Sequence, residues 1–327
     1  MKIVELDVTE FRGIKKCEKP IEFSKFNVLI GRNNTGKSAI LEALYLFPNP
    51  TEYLFGGTKL TLVGDLLHSG EPLTYGYWGD AKIRYVFEYY WNSHPLLCKY
   101  EITIGKKCEF KLLHVKVEKS KKKVVREEIK KEIEELKNVT CLIFSDLSLI
   151  KRYDAEISLK KNKIMKQGSH VKIAKLISKC VDDKFTEIYL DTMKLRKELP
   201  DGNAFYIHID DLGDGIKKAV RVMLILEALK PKIVLWDDFE IFAHPSLIET
   251  LLEWLIEEDW QVVLSTHSID VLYALIDVKK HREDITVIQL AKKPDDSLTF
   301  EKLTLDDLDD LIMANQDPRK ITDLLKL

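Results

Sequence analysis

Polar and apolar residues alternate between positions 2 and 8, the period of a strand with one face buried. Residues 26–30 form an apolar run of strand length. The period then lengthens, and Ile40, Leu41, Leu44, Leu46 and Phe47 carry helical spacing across 37–47. The first 47 residues therefore predict strand, strand, helix. After a Gly- and Pro-rich loop, three segments rich in Tyr, Phe, Val and Ile predict strands over 82–91, 97–104 and 109–117, with a turn at Gly105. Together they predict an antiparallel sheet beside the first three elements.

Over 120–137 the pattern is helical again. Val125, Ile129, Ile133 and Leu136 form one stripe between Lys and Glu, on a helix only about 27 Å long. An apolar strand is predicted over 139–144. The stretch 151–179 has nine Lys or Arg against two acidic residues, and Ile173, Leu176 and Ile177 give its second half helical spacing. Further on, apolar strands over 232–236 and 260–264 bracket a helix over roughly 246–257. The tail from Thr304 is acidic, through Asp306, Asp307, Asp309 and Asp310. The chain shows neither an internal repeat nor a low-complexity linker.

Composition narrows the function classes. The 327 residues suffice for one large domain or two modest ones. A net charge of -2 gives no whole-molecule field that would draw nucleic acid, so any such attraction needs a local patch. Lysine far outnumbers arginine and glutamine is scarce, a skew that resembles proteins of heat-loving organisms. Cys17, Cys98, Cys108, Cys141 and Cys180 include no C-x-x-C pair, which suggests neither a zinc site nor a disulfide framework. The N-terminus lacks a signal-peptide profile, and no apolar stretch approaches the ~20 residues of a membrane span. A soluble, cytoplasmic protein is the expectation.

Gly31-Arg32-Asn33-Asn34-Thr35-Gly36-Lys37-Ser38 fits G-x-x-x-x-G-K-[ST], between a predicted strand and a predicted helix. Its glycines let backbone N–H groups close around phosphates, Lys37 reaches the β- and γ-phosphates, and the Ser38 hydroxyl ligates magnesium. The helix N-terminus adds partial positive charge. The apolar strand before Asp237 and Asp238 ends in carboxylates, as a Walker B element requires. Asp237 is placed to hold Mg2+ and Asp238 to orient or deprotonate the attacking water. The bland alternative is a strand ending in solvated acids. Ser265-Thr266-His267-Ser268 ends the next predicted strand, and the order favours a histidine that senses the γ-phosphate over a merely exposed one. Gly213-Asp214-Gly215, just upstream of Walker B, starts an apolar helix with an exposed N-terminus. Such an end donates N–H groups to a phosphate, including one bound on another subunit; otherwise it is a plain capped helix.

In this order the four elements resemble the ABC-type ATPase heads of the SMC, RecF and OLD families. Phe11-Arg12-Gly13-Ile14 is similar to the N-terminal "F-R-s-i" of those heads, which brings Arg12 to the nucleotide with Asn33, Asn34, Thr35, Gly36, Lys37 and Ser38. Leu212 to Lys218 resembles the glycine signature of OLD-like members, Asp237 to Glu240 with His244-Pro245 their D-E-P-E…H-P stretch, and Ser265 to Ser268 their switch motif. The resemblance implies an α/β ABC-ATPase head: a P-loop mixed-sheet core with an antiparallel β subdomain and a short helical insertion. The expected organisation is a single domain over 1–327, with an N-terminal lobe (1–118), an insertion (119–200) and a C-terminal lobe (201–327). SMC proteins place a very long coiled coil between the head halves; here short helices and strands occupy that place. OLD proteins carry a C-terminal nuclease domain, and the 60 residues after His267 are too few for one. Asp238 stands where the family has glutamate, one methylene short, which predicts slow hydrolysis. The serine of the usual signature is replaced around Gly213-Asp214, and the expected Q-loop position reads Phe144-Ser145-Asp146 without a glutamine.

The implied activity is Mg2+-dependent ATP hydrolysis by an ATP-sandwiched homodimer, Walker A of one protomer facing Gly213–Gly215 of the other. Two outputs are open. One is double-stranded DNA, contacted through the basic stretch 151–179 with Lys119 and Lys121 to Lys123, in chromosome maintenance or repair; the alternative for those lysines is a solvated face. The other is ATP-gated control of a separate effector protein in a defence or nuclease system. A transporter ATPase and a small-molecule kinase share the P-loop, but the OLD-like signature argues against the first, and the second needs neither signature nor switch histidine.

Overall fold

The computed structural model describes residues 1–52, 61–67, 70–91, 94–105, 108–115, 122–136, 138–146, 153–278 and 280–320. The strands are β1 (Lys2–Phe11), β2 (Ile14–Cys17), β3 (Ile21–Glu22), β4 (Phe26–Ile30), β5 (Ala81–Trp91), β6 (His94–Ile104), β7 (Cys108–Val115), β8 (Thr140–Ile143), β9 (Lys184–Tyr189), β10 (Lys194–Glu198), β11 (Ala204–His208), β12 (Ile233–Trp236), β13 (Gln261–Ser265), β14 (Ile285–Lys292) and β15 (Ser297–Leu303). Twelve of them form one mixed sheet in the order β7-β6-β5-β1-β2-β15-β14-β4-β13-β12-β8, with β3 paired to β1. The sheet thus has a parallel region, which carries the P-loop, continuous with an antiparallel one.

The parallel region is β14-β4-β13-β12-β8. Its strands read as unbroken apolar runs because both faces are covered. Val28, Val234, Trp236, Val262 and Leu264 point into one core, while Leu29, Ile233, Leu235 and Val263 point into the other. The helices Tyr153–Leu159, Lys161–Lys166, Ser169–Ile177, Asp214–Leu229, Pro245–Glu257 and Ile269–Ile276 contribute to the first core. The second core lies between the helix Lys37–Tyr45 and the antiparallel strands.

This second core holds the P-loop helix in place. The Phe47 ring sits 5.0 Å from those of Tyr85 and Phe87 and 5.8 Å from that of Tyr100. Contacts of this kind contribute ~0.5–1.5 kcal/mol each beyond area burial. Tyr85 donates its hydroxyl to the Ala43 carbonyl at 2.6 Å, and Tyr100 donates to that of Pro48 at 2.8 Å. The predicted antiparallel sheet is therefore a buttress for the helix Lys37–Tyr45.

Several expectations change in detail. The first strand runs to Phe11, because β5 and β2 pair along its whole length. The predicted helix over 120–137 is Lys122–Glu135. The basic stretch holds three short helices where one was expected, and β8, inside the 119–200 stretch, is an edge strand of the main sheet. The separate sheet β11-β10-β9 runs through residue 200. The acidic tail is the helix Leu305–Met313, opened by a capping box in which Thr304 and Asp307 exchange hydrogen bonds. β14 and β15, which the periodicity does not predict, join the parallel region to the antiparallel one.

Candidate nucleotide-binding site

Three neighbouring parallel strands, β4, β13 and β12, deliver the motifs to one edge of the sheet. Parallel strands end on the same side, so the loops after Ile30, Ser265 and Trp236 meet there. The loop after β4 depends on two glycines. Gly31 has φ of 143° and Gly36 of 101°, and a Cβ on Gly31 would lie 2.5 Å from the Leu290 carbonyl oxygen. Asn34 also adopts a left-handed conformation, with φ 61°. Thr35 is buried beneath the loop, and its hydroxyl donates to the Arg32 carbonyl at 2.9 Å. Gly36 caps the helix Lys37–Tyr45, whose N-terminus faces the loop.

Lys37 folds back under this loop. Its ammonium donates to the carbonyls of Gly31 and Arg32, each at 3.0 Å. Burial lowers its pKa from the ordinary lysine value, opposed by the negative charges of Asp238, Asp237 and Glu240.

Arg12, the first residue of the turn after β1, donates from Nε to Glu42 at 2.6 Å and from Nη2 to the Leu66 carbonyl at 2.8 Å. A cleft of about 350 Å³ takes in Arg12, Asn33, Asn34, Gly36, Lys37 and Ser38, together with Asp238 and His267. The P-loop thus shares one opening with two motifs that lie 200 or more positions further along the chain. A neighbouring cleft of about 250 Å³ is lined by Ser38 and Asp237, with Ser145 and Asp146. A hydroxyl and a carboxylate are the hard oxygen donors that Mg2+ takes, so these two residues fit that ion.

The carboxylates after β12 are organised by β13. Ser265, wholly buried, donates to Asp237 Oδ1 at 2.6 Å and accepts from the Asp238 N–H at 2.9 Å. Asp238 has φ of 45°. Its pKa is raised, chiefly by burial and then by the charges of Asp237 and Glu240, against the lowering pull of His267 and Lys37. Glu240 accepts from the Thr266 hydroxyl and from the His267 N–H, both at 2.8 Å.

The signature residues lie apart from both clefts. Gly213 and Asp214 are exposed at the N-terminus of the helix Asp214–Leu229, and Gly215 is half-buried. A Cβ on Gly215 would sit 2.3 Å from the Phe242 carbonyl oxygen, so the glycine is required by the close approach of the loop after Asp238.

A family model described as "AAA ATPase domain" matches residues 1–68, and one described as "AAA domain, putative AbiEii toxin, Type IV TA system" matches residues 106–273, half of the chain. The chain belongs to this AAA domain family. No curated protein matches the sequence. Among solved structures the AAA chain is similar to the SMC head domain from Thermotoga maritima, at 14% identity and TM-score 0.54, over 93% of this chain and 99% of that one. It is also similar to an Smc head bound to the C-winged helix domain of ScpA (14%, TM-score 0.62, 93% and 98%). A third is the Smc head with an extended coiled coil bound to the C-terminal domain of ScpA from Pyrococcus furiosus (11%, TM-score 0.57, 96% and 99%). At these identities the likeness is one of fold.

Four residues of the AAA site carry no assigned role in the sequence reading. Ser265 and Glu240 lie inside quoted motifs, and only their hydrogen bonds reveal what they do. Arg319 donates to the His267 carbonyl at 2.7 Å from near the end of the described chain, with no local pattern to mark it. Lys218 follows the signature, is 2% exposed, and has no hydrogen-bond partner for its ammonium among the described residues; the ammonium lies 5.6 Å from the centre of the Trp236 ring. Burial pushes its pKa down to about 8, even with Asp238, Glu240 and Asp237 pulling it up.

Proposed function

We propose that this AAA domain binds ATP with Mg2+ and hydrolyses it slowly, and that ATP joins two copies of the chain. The observation that carries this reading is the shared cleft of the P-loop, Asp238 and His267. In it, the loop N–H groups and Lys37 bind phosphate oxygens, and Asp238 orients and deprotonates the attacking water. His267 faces the γ-phosphate. Ser38 and Asp237 hold Mg2+, which supplies charge neutralisation at the phosphates when bound. The exposed Gly213–Gly215 end of its helix is suited to the phosphate of a partner's ATP, which explains why it stands away from its own cleft. Asp238→Asn should accumulate an ATP-dependent dimer; a variant that stays monomeric with ATP and Mg2+ would overturn the sandwich.

For the output, double-stranded DNA is the first reading. Lys166, Lys175 and Lys179 are exposed within the basic stretch, the first two on helices and the third in the turn after them. Lys119, Lys121, Lys151 and Arg152 lie outside the described residues. Other lysines there are already engaged: Lys160 with Glu156, Lys161 with Asp191, Lys172 with Glu258, and Lys163 with the Ala228 carbonyl. That neutralisation favours a second reading, ATP-gated control of a separate effector protein. The toxin–antitoxin system named in the family description supports it.

The deciding experiment is ATP hydrolysis by the purified chain with and without double-stranded DNA, beside a Lys37→Ala control. Turnover that rises with DNA and vanishes in the control supports the first reading. Lys37-dependent turnover indifferent to DNA supports the second. Turnover that persists in the control refutes the site itself.

A further inference from the structure

The peptide groups on either side of His267 are held from two directions. Its N–H donates to Glu240 at 2.8 Å, and its carbonyl accepts from Arg319 Nη1 at 2.7 Å. Glu240 belongs to the loop after β12, whereas Arg319 comes from the short turn Pro318–Lys320, after the last long helix. The guanidinium is fixed in turn, because Nε and Nη2 both donate to the Asp317 carboxylate at 2.8 Å. This is the bidentate geometry that arginine's planar fork favours. The turn is anchored by Gln289, wholly buried in β14, whose side-chain amide donates to the Pro318 carbonyl at 2.9 Å. β14 pairs directly with β4, the strand that runs into the P-loop.

We propose that Arg319 is a positioning residue for His267 in ATP hydrolysis, and that residues 317–320 form a clasp setting how the histidine is presented to the γ-phosphate. This rests on the ATPase reading above. His267 lies between the end of β13 and the helix Ile269–Ile276, so its own peptide bonds belong to no regular ladder. Glu240 fixes the entry to that segment, and Ser268 caps the following helix by accepting from the Asp270 N–H. The peptide group after His267 is held at two points: the Ser268 N–H donates to the Thr266 hydroxyl at 3.0 Å, and the His267 carbonyl accepts from Arg319, the one charged donor of the two. A charged donor gripping that carbonyl restrains the backbone rotation that aims the histidine side chain more firmly than a neutral one. The clasp also ties the two halves of the catalytic edge together, since β14 and β13 flank β4 on opposite sides.

The test compares the wild-type chain with Arg319→Ala, Arg319→Lys, His267→Ala and the Arg319→Ala/His267→Ala double variant. Turnover of Arg319→Ala should fall by about tenfold or more, as a displaced catalytic group predicts, while KM for ATP moves by no more than about twofold. Arg319→Lys should recover part of the loss, since an ammonium can still donate to the carbonyl. In the His267→Ala background the arginine change should add nothing. A rise in KM equal to the loss in kcat/KM, or full additivity with His267→Ala, would overturn the proposal. NMR signals of labelled histidine rings supply a readout independent of turnover: Arg319→Ala should shift or broaden the His267 signal while the other histidines stay in place. An unmoved His267 signal refutes the clasp whether or not the chain hydrolyses ATP, whereas wild-type turnover insensitive to Lys37→Ala refutes the ATPase reading alone.

Discussion

Ser265 donates its hydroxyl to Asp237 at 2.6 Å and accepts from the backbone N–H of Asp238 at 2.9 Å, so one buried side chain on β13 holds the first carboxylate after β12 and the backbone of the second acid. Its location follows from the sheet order, which puts β13 directly beside β12. Replacing it removes a donor from one acid and an acceptor from the next.

Ser265→Ala should therefore weaken Mg2+–ATP binding and lower the melting temperature. The Asp238 N–H loses its partner inside the protein, a cost of about 1–3 kcal/mol. Thermal unfolding and a magnesium titration of ATP binding check both effects. Wild-type magnesium affinity in the variant would show that Asp237 is oriented by something else.

Gly215→Ala should slow hydrolysis while leaving ATP affinity nearly intact. The new methyl group would meet the Phe242 carbonyl oxygen at 2.3 Å, and a backbone carbonyl must move to admit it. Overpacking of this kind costs about 1–3 kcal/mol, and here the strain falls on the loop that carries Asp238 and Glu240. Parallel measurements of nucleotide binding and turnover separate the two effects.

The raised pKa of Asp238 sets a direction for the pH profile. A base must be ionised, so turnover should fall with decreasing pH at a higher pH than an ordinary aspartate would give. The folded state binds that proton more tightly than the unfolded chain. Stability from this group is thus greatest at low pH and declines as pH rises from the ordinary aspartate pKa through the raised one. Asp238→Asn should abolish the acidic limb in residual turnover, and Asp238→Glu should speed hydrolysis by restoring the longer side chain. A slower glutamate variant would show that the loop is already built around aspartate.

Lys218→Met should leave stability at pH 7 unchanged or raise it, because the buried ammonium has no hydrogen-bond partner among the described residues. Its pKa of about 8 lies below the ordinary lysine value of 10.5. The unfolded chain therefore binds more protons between those values, and this lysine makes stability rise with pH across that window. The rise should be missing in the methionine variant, as followed by denaturant unfolding at pH 7, 8, 9 and 10. A large loss of stability at pH 7 would mean that attraction to the carboxylates and Trp236 outweighs the desolvation of the charge.

The sequence alone determined the chemistry that local patterns encode. The spacing of Gly31, Gly36, Lys37 and Ser38 is a backbone requirement, and a phosphate-binding loop can be read wherever a strand precedes it and a helix follows. The apolar runs before Asp237 and Ser265 likewise announced buried strands, since covering on both faces removes any alternation. Helix 305–313 and strands β9 to β11, β14 and β15 were not legible in that way. In helix 305–313, β9, β10 and β15 charged residues stand between the apolar ones; β11 leaves Phe205 and Tyr206 exposed; β14 is a short uncharged run over 285–291, which periodicity alone does not separate from a buried helix segment.

What tertiary structure decided is adjacency. The strand order β4-β13-β12 cannot be read from chain order, yet it alone brings Lys37, Asp238 and His267 to one cleft. The same holds for Arg319, which meets His267 across 52 positions through a hydrogen bond to a backbone carbonyl. A carbonyl is present at every residue and leaves no trace in side-chain identity. Contacts to it are fixed by the path of the folded chain, and only the folded chain reveals them.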